Sequence, residues 1–152
     1  MSLVVGDQIP DFKLSDHLGN KRTSSQAKGR PLVLFFYPKD DTPGCTAEAC
    51  GFRDKYDLFQ IFGARVWGVS NDDELSHLKF AEKNNLPFPL LCDANNFLRK
   101  VFGVPRFLGL IDGRVTYIID SKGIIRHVFN DLINGPQHVT EALRILEEIK
   151  IK

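Results

Sequence analysis

The chain predicts an α/β domain, a central mixed sheet flanked by helices with a β-hairpin at its N-terminus. Three observations lead there. Strand-like and helix-like patterns alternate along the whole length. One run, Leu32 to Tyr37, is apolar at every position, as a central strand buried on both faces is. The 152 residues, 43% hydrophobic and 26% charged, suffice for a packed core without cross-links. No repeat, low-complexity tract or linker interrupts the pattern, so residues 1–152 read as a single domain.

Phe12 and Leu14, then Lys21 to Ser24 beyond the turn His17-Leu18-Gly19-Asn20, form the hairpin. Leu32 to Tyr37 is the central strand. A helix from about Thr46 to Phe62 follows, with Phe52, Tyr56 and Phe59 on one stripe. Val66 to Ser70 is the next strand. Asp72 or Asp73 caps a second helix, which carries Leu75, Leu78 and Ala81 and stops before Pro87. Cys92 ends a short buried strand, and Asn95 to Phe102 is a shorter helix. Val115–Ile119 and Ile124–Phe129 pair around Asp120-Ser121-Lys122-Gly123. The last helix starts near Pro136, a good first-turn residue, and buries Val139, Leu143 and Leu146. The order β-α-β-α…β-β-α is that of a thioredoxin-like fold, though it also suits other α/β domains.

Composition excludes several function classes. A net charge of +1 with no basic block argues against a nucleic-acid partner. No apolar run has the length to cross a bilayer, so no membrane association is expected. The N-terminus lacks a basic region followed by an apolar stretch, so it is not a secretory signal. Three cysteines are too few, and odd in number, for a disulfide framework. At least one thiol is therefore free, and a reducing compartment is expected: the cytoplasm, or an organelle after removal of a transit peptide.

The chemistry concentrates where the central strand ends. Leu32-Val33-Leu34-Phe35-Phe36-Tyr37 runs into Pro38-Lys39-Asp40-Asp41-Thr42-Pro43-Gly44-Cys45, with Cys50 five residues on. A thiol at a helix start meets free amides and the positive end of the dipole, which favour its ionised form. At about 100° per residue, Cys45 aligns with Ala49, Phe52, Tyr56 and Phe59 on the core side, and Cys50 falls roughly 140° away beside Asp54 and Asp57. Cys45 points into a pocket; Cys50 faces outward or into a shallow groove. The plainer reading makes both small buried hydrophobes.

Neighbouring residues favour the reactive reading. Thr42, three residues before Cys45, offers a hydroxyl to the thiolate or to a substrate O–H, or simply caps the helix. Pro38 and Pro43 fix the backbone and remove amide donors, which shields the pocket. Gly44 allows close approach to the backbone. Arg114, which opens the strand Val115–Ile119, is the first choice of cation; Arg53, Arg99 and Arg106 are weaker candidates.

Pro38, Thr42 and Cys45 match the Pro-x-x-x-Thr/Ser-x-x-Cys motif of peroxiredoxins. The longer string from Phe36-Tyr37-Pro38 through Thr42-Pro43-Gly44-Cys45-Thr46-x-Glu48 with Cys50 resembles the bacterioferritin comigratory protein or peroxiredoxin Q subgroup. The likeness continues through Gly68-Val69-Ser70, Leu86-Pro87-Phe88, Leu90-Leu91-Cys92-Asp93, Phe102-Gly103-Val104 and Gly113-Arg114. It implies a thioredoxin-like fold and a thiol peroxidase without cofactor, with Cys45 peroxidatic and Cys50 resolving. Thr42 and Arg114 then hold the activating positions and Pro38 the shielding one. Substrates are hydrogen peroxide and alkyl hydroperoxides, thioredoxin or a similar dithiol is the reductant, and the protein is a monomer. Cys92 departs from the pattern and is expected to be structural.

Five residues of intact helix hold two Cα atoms about 8.7 Å apart, beyond the roughly 7 Å a disulfide spans. The helix start must therefore unwind for Cys45 and Cys50 to join. Two other readings compete. A thiol–disulfide oxidoreductase would normally keep two residues between its cysteines, where this chain has four. A metal module needs histidine ligands, but His17, His77, His127 and His138 are scattered and read as surface or turn residues. Phe107, Leu108 and Leu110 before Arg114 form either an apolar wall for organic hydroperoxides or, the preferred reading, ordinary loop packing.

Overall fold

A computed structural model describes residues 2–151. At its centre is a five-stranded mixed sheet of β3 (Leu32–Phe36), β4 (Arg65–Ser70), β5 (Leu90–Cys92), β8 (Val115–Ile119) and β9 (Ile125–Asn130), in the spatial order β5-β4-β3-β8-β9. β3, β4 and β5 run parallel, whereas β8 lies antiparallel to β3 and β9 antiparallel to β8. Every residue of β3 is buried, which its uninterrupted apolar run requires of a strand covered on both faces. A hairpin of β1 (Lys13–Ser15) and β2 (Lys21–Thr23) precedes the sheet as its sequence predicts.

Alternation along the strands divides the core in two. Val33, Phe35 and Tyr37 with Ile118 face α2 (Pro43–Asp54), α3 (Tyr56–Ile61), α4 (Glu74–Asn84) and α6 (Gly135–Ile151). Phe35 stacks on Phe52 there, ring centroids 4.5 Å apart. Leu32, Leu34, Phe36, Tyr117 and Ile119 face α5 (Phe97–Phe102) and the N-terminal segment, through Leu98, Phe102, Ile9 and Phe12.

Several elements differ from the sequence reading. The helix expected over Thr46–Phe62 starts three residues earlier, at Pro43, and breaks at Lys55 (φ −107°, ψ 11°) into α2 and α3. The break lets Phe59 turn in and pack on Phe52, centroids 5.5 Å apart. On α4 the inward face is His77, Phe80 and Ala81, while Leu75 is exposed. Asp73, not Asp72, caps it, accepting from the Ser76 amide at 2.9 Å. Leu143 on α6 is half-buried, and Ala142 and Ile145 complete the buried stripe with Val139 and Leu146. The segment read as one helix from Asn95 is a 3₁₀ turn, Ala94–Asn96, followed by α5, because Asn95 and Asn96 take positive φ. A short helix α1 (Ser24–Ala27) and a two-stranded hairpin of β6 (Arg106–Phe107) and β7 (Ile111–Asp112) add to the predicted set.

The start of α6 abuts the first turns of α2. A methyl group at Gly135 would sit 2.7 Å from the Gly44 carbonyl oxygen and 2.9 Å from Glu48 Cβ. One contact is backbone, so it cannot swing aside. Gly135→Ala is therefore expected to destabilise the fold by about 1–3 kcal/mol, read as a lower midpoint in urea with unchanged slope. Unaltered stability would show that the two helices can separate freely.

Candidate active site

Beyond β3 the chain makes a tight loop before α2, and a buried polar cluster braces that loop. The Tyr37 hydroxyl donates to Asp40 Oδ1 at 2.6 Å. The other Asp40 oxygen accepts from Ser76 Oγ at 2.9 Å and lies 2.6 Å from His77 Nδ1. The Asp40 amide donates to Asp72 Oδ2 at 2.8 Å, and His77 Nε2–H to the Leu91 carbonyl at 2.9 Å. Asp41 follows with φ 59°, a left-handed backbone that aspartate tolerates. His77 and His138 are thus fully buried, not the surface or turn residues expected from sequence; isolated histidines carry no pattern that reveals burial. Among the described residues, the set of three potential metal donors lying within 4.8 Å of one another is Asp40, Asp72 and His77. Neither Cys45 nor Cys50 joins it.

Cys45 lies in the first turn of α2 and is 1% exposed, in the pocket position its stripe predicts. The Thr46 amide returns to the Thr42 carbonyl at 2.8 Å, so the turn is closed. Thr42 occupies the N-cap without capping through its side chain. Its hydroxyl instead donates to the Lys39 carbonyl at 2.9 Å. That proton is committed to the loop, and the oxygen's lone pairs are left as acceptors. Pro38 is half-buried at the loop's start.

Arg114 is 4% exposed and reaches this turn from the end of the sheet. Its Nε–H donates to the Leu132 carbonyl at 2.9 Å and Nη1–H to Glu48 Oε1 at 2.6 Å. Nη2 lies so near Gly44 that an added methyl there would come within 3.0 Å of it. A side chain at position 44 would displace the guanidinium, which explains glycine before the thiol. Burial works to lower the Arg114 pKa, but the charges and hydrogen bonds of Glu48 and Cys45 outweigh it and raise the value. For Glu48 the balance is opposite: complete burial pushes its carboxyl up to about 8 against the pull of Arg114. We take the upward direction as governing for Glu48, since its second oxygen finds no donor.

Two site residues went unassigned by sequence reasoning. Glu48 stands three residues after Cys45, and that i,i+3 spacing puts it on the same helix side; the signal was present in the motif. Arg99, ranked weaker, is buried and staples two loops, donating to the Tyr37 carbonyl at 2.8 Å and the Gly113 carbonyl at 2.7 Å. Its guanidinium also lies over the Phe36 ring at 5.6 Å. It holds the end of β3 beside the approach to Arg114. Arg53 and Arg106 go elsewhere, to Asp54 and Asp112.

Cys50 is half-buried against the end of α4, with Sγ 3.6 Å from Asn84 Oδ1. The neighbouring Arg53 Nη1–H donates to the Asn84 carbonyl at 2.7 Å. Cys92 closes β5, and burial plus the acidic neighbours Glu74, Asp16, Asp40 and Asp73 push its thiol up to about 12. Such a thiol is a poor nucleophile at neutral pH. In the loop before Arg114, Leu108 and Leu110 are 80% and 78% exposed and Phe107 is half-exposed.

Comparison with known proteins gives a consistent result. Residues 5–128 match the model of the AhpC/TSA family. The chain is 45% identical over 145 residues to chloroplastic peroxiredoxin Q of Triticum aestivum, covering 95% of this chain and 67% of that protein. Among solved structures, peroxidoxin BcpB from Mycobacterium tuberculosis superimposes with a TM-score of 0.88 at 38% identity, over 95% of this chain and 97% of the other. A cysteine-to-serine mutant of PrxQ from Xylella fastidiosa superimposes with a TM-score of 0.92 at 30% identity, over 99% of both chains.

Proposed function

Because the chain belongs to the AhpC/TSA family and is a thiol-dependent peroxidase related to peroxiredoxin Q, we propose that Cys45 is its peroxidatic cysteine and Cys50 its resolving one. The observation that carries this assignment is the buried Arg114–Glu48 pair beside Cys45 at the start of α2. The guanidinium and the α2 amides favour negative charge on the sulfur and then on the departing oxygen. Thr42, whose O–H donates to the Lys39 carbonyl, accepts from the peroxide O–H and aims it. Pro38 limits water at the loop.

The Cys45 thiolate attacks the terminal peroxide oxygen, the O–O bond breaks, and one proton is taken up as water or an alcohol leaves; the sulfur becomes a sulfenic acid. The Cys50 thiol then displaces that hydroxyl as water, forming the Cys45–Cys50 disulfide. A thioredoxin-type dithiol reduces it and is itself oxidised. Hydrogen peroxide and alkyl hydroperoxides are the proposed substrates; the exposed apolar tip Phe107–Leu110 supports the latter. No described helix is long and apolar enough to cross a membrane. We place the monomer in a reducing compartment, the cytoplasm or, as for the chloroplastic relatives, an organelle.

The test is peroxide-dependent NADPH oxidation with thioredoxin and its reductase, together with peptide mapping after one equivalent of hydrogen peroxide. A Cys45–Cys50 disulfide is expected; a bond to Cys92, or no peroxide loss, would overturn the assignment. Arg114→Gln is expected to slow the single-turnover reaction by about 10²–10³-fold, the scale of losing one preorganised charge donor. A change under threefold would remove Arg114 from the mechanism.

A further inference from the structure

One buried contact behind the thiol has no part in these steps. Glu48 gives Oε1 to Arg114, while Oε2, equally buried, has no hydrogen-bond partner. His138 Nδ1 lies 3.6 Å from it, on the first turn of α6. The His138 ring is fully buried, its plane at 77° to the Phe129 ring, centroids 4.7 Å apart. Nε2 is 2.8 Å from the Asp131 carbonyl, which can only accept, so Nε2 carries the ring proton. Nδ1 then offers a lone pair, to which the Thr116 hydroxyl donates at 2.8 Å. Thr116 is two residues along from Arg114, hence on the same face of the sheet. The charged and titratable groups facing this pair are Arg114 at the start of β8, Cys45 on α2 and Asp131 after β9.

We propose that His138 is a positioning residue of the peroxidase site, facing Glu48 Oε2 with its Nδ1 lone pair across 3.6 Å, which favours the protonated carboxyl and thereby sets how much of the Arg114 charge acts on Cys45. This rests on the reading of Arg114 as the activating group of that thiol. With the proton present, a neutral Oε2–H lies 3.6 Å from the Nδ1 lone pair, Glu48 carries no charge, and the guanidinium charge is free to act on the sulfur. With the proton lost, the carboxylate neutralises Arg114, and Oε2 faces a lone pair. Burial pushes Glu48 up to about 8 and His138 down to about 4, so the proton resides on the carboxyl. Thr116 competes for the same lone pair, so it opposes His138 in holding that proton.

The competition predicts shifts of opposite sign. Cys45 reactivity is followed from pH 5.5 to 9.5 in wild type, Thr116→Val, His138→Phe and Glu48→Gln, once with hydrogen peroxide and once with iodoacetamide. Iodoacetamide reports the thiolate independently of any peroxide chemistry. In wild type the rate is expected to fall below a single thiol-ionisation curve through a break above neutrality, as the thiolate fraction drops, and Glu48→Gln to abolish the break. Thr116→Val frees Nδ1 and moves the break up by about half a pH unit or more; His138→Phe removes the acceptor and moves it down by a similar amount. Shifts of the same sign, profiles that overlay wild type, or a break surviving Glu48→Gln would overturn the proposal. Should the histidine or glutamate variant fail to fold, the near-isosteric Thr116→Val and the ¹³C carboxyl titration of Glu48 in wild type decide. Glu48 titrating above pH 6.5 is expected, and full ionisation at pH 6 overturns it. A normal break with iodoacetamide but no reaction with peroxide would sink the peroxidase assignment and leave the role of His138 standing.

Discussion

Cys45→Ser will consume no hydrogen peroxide with any reductant, a loss of at least about 10⁴-fold on the scale seen when a nucleophile is removed. The serine hydroxyl is un-ionised at neutral pH, and its oxygen cannot take up a second oxygen as sulfenic acid. The framework around it should survive. Arg114 keeps Glu48 at 2.6 Å and the Leu132 carbonyl at 2.9 Å, neither of which involves the sulfur. Placing a hydroxyl at a site 1% exposed costs about 1–2 kcal/mol, so the variant should remain folded with a modestly lower midpoint. The measurement is peroxide loss by single-turnover fluorescence, with circular dichroism as the folding control. Residual turnover within tenfold of wild type would move the reaction to another thiol, against the packing of Cys50 and Cys92.

Cys50→Ser will reduce one equivalent of peroxide at nearly the wild-type rate and then stall with thioredoxin. Its side chain lies on another face of α2, against Asn84, and contributes nothing to the Arg114 pocket. What it loses is the second step. Sulfenic acid then accumulates on Cys45 and is open to further oxidation to sulfinic acid, a gain of two oxygens over the thiol. Intact-mass analysis after titration with peroxide will read this directly. Sustained turnover with thioredoxin would show that an external thiol, not Cys50, resolves Cys45. In wild type the two cysteines sit in one unbroken helical segment, Pro43–Asp54. Their Cα atoms are about 8.7 Å apart in such a helix, so disulfide formation requires α2 to open. Its N-terminus suits that: Thr42 provides no side-chain cap, and no acidic residue lies in the first turn.

The strands and the thiol motif were legible because each has a local cause. β3 declares itself by five apolar residues in a row, and Cys45 by its place after a proline-braced turn. α1 was equally legible and overlooked, since Thr23 and Gln26 form a capping box across it. The break at Lys55 was not legible, because no proline or glycine marks it; Phe59 turning onto Phe52 decides it. The buried polar residues behind the site were hidden for a related reason. Glu48, His77, Arg99 and His138 each meet a partner 14 or more residues distant, and a sequence read locally assigns such side chains to solvent.

The Tyr37–Asp40–His77 cluster gives the opening of α2 a fixed origin. Asp40 is tied through side chain and amide to β3, to the turn after β4 and to α4, and His77 carries the tie on to β5. Asp41, next in line, pairs with the solvent-facing Lys83. Unravelling therefore has a hinge pin at Asp40, and the stretch that swings is short, from Asp41 to about Glu48. On the Cys45–Cys50 disulfide proposed above, rewinding after each reduction would start from the same anchored point and return Cys45 to its pocket without any search by the rest of the domain.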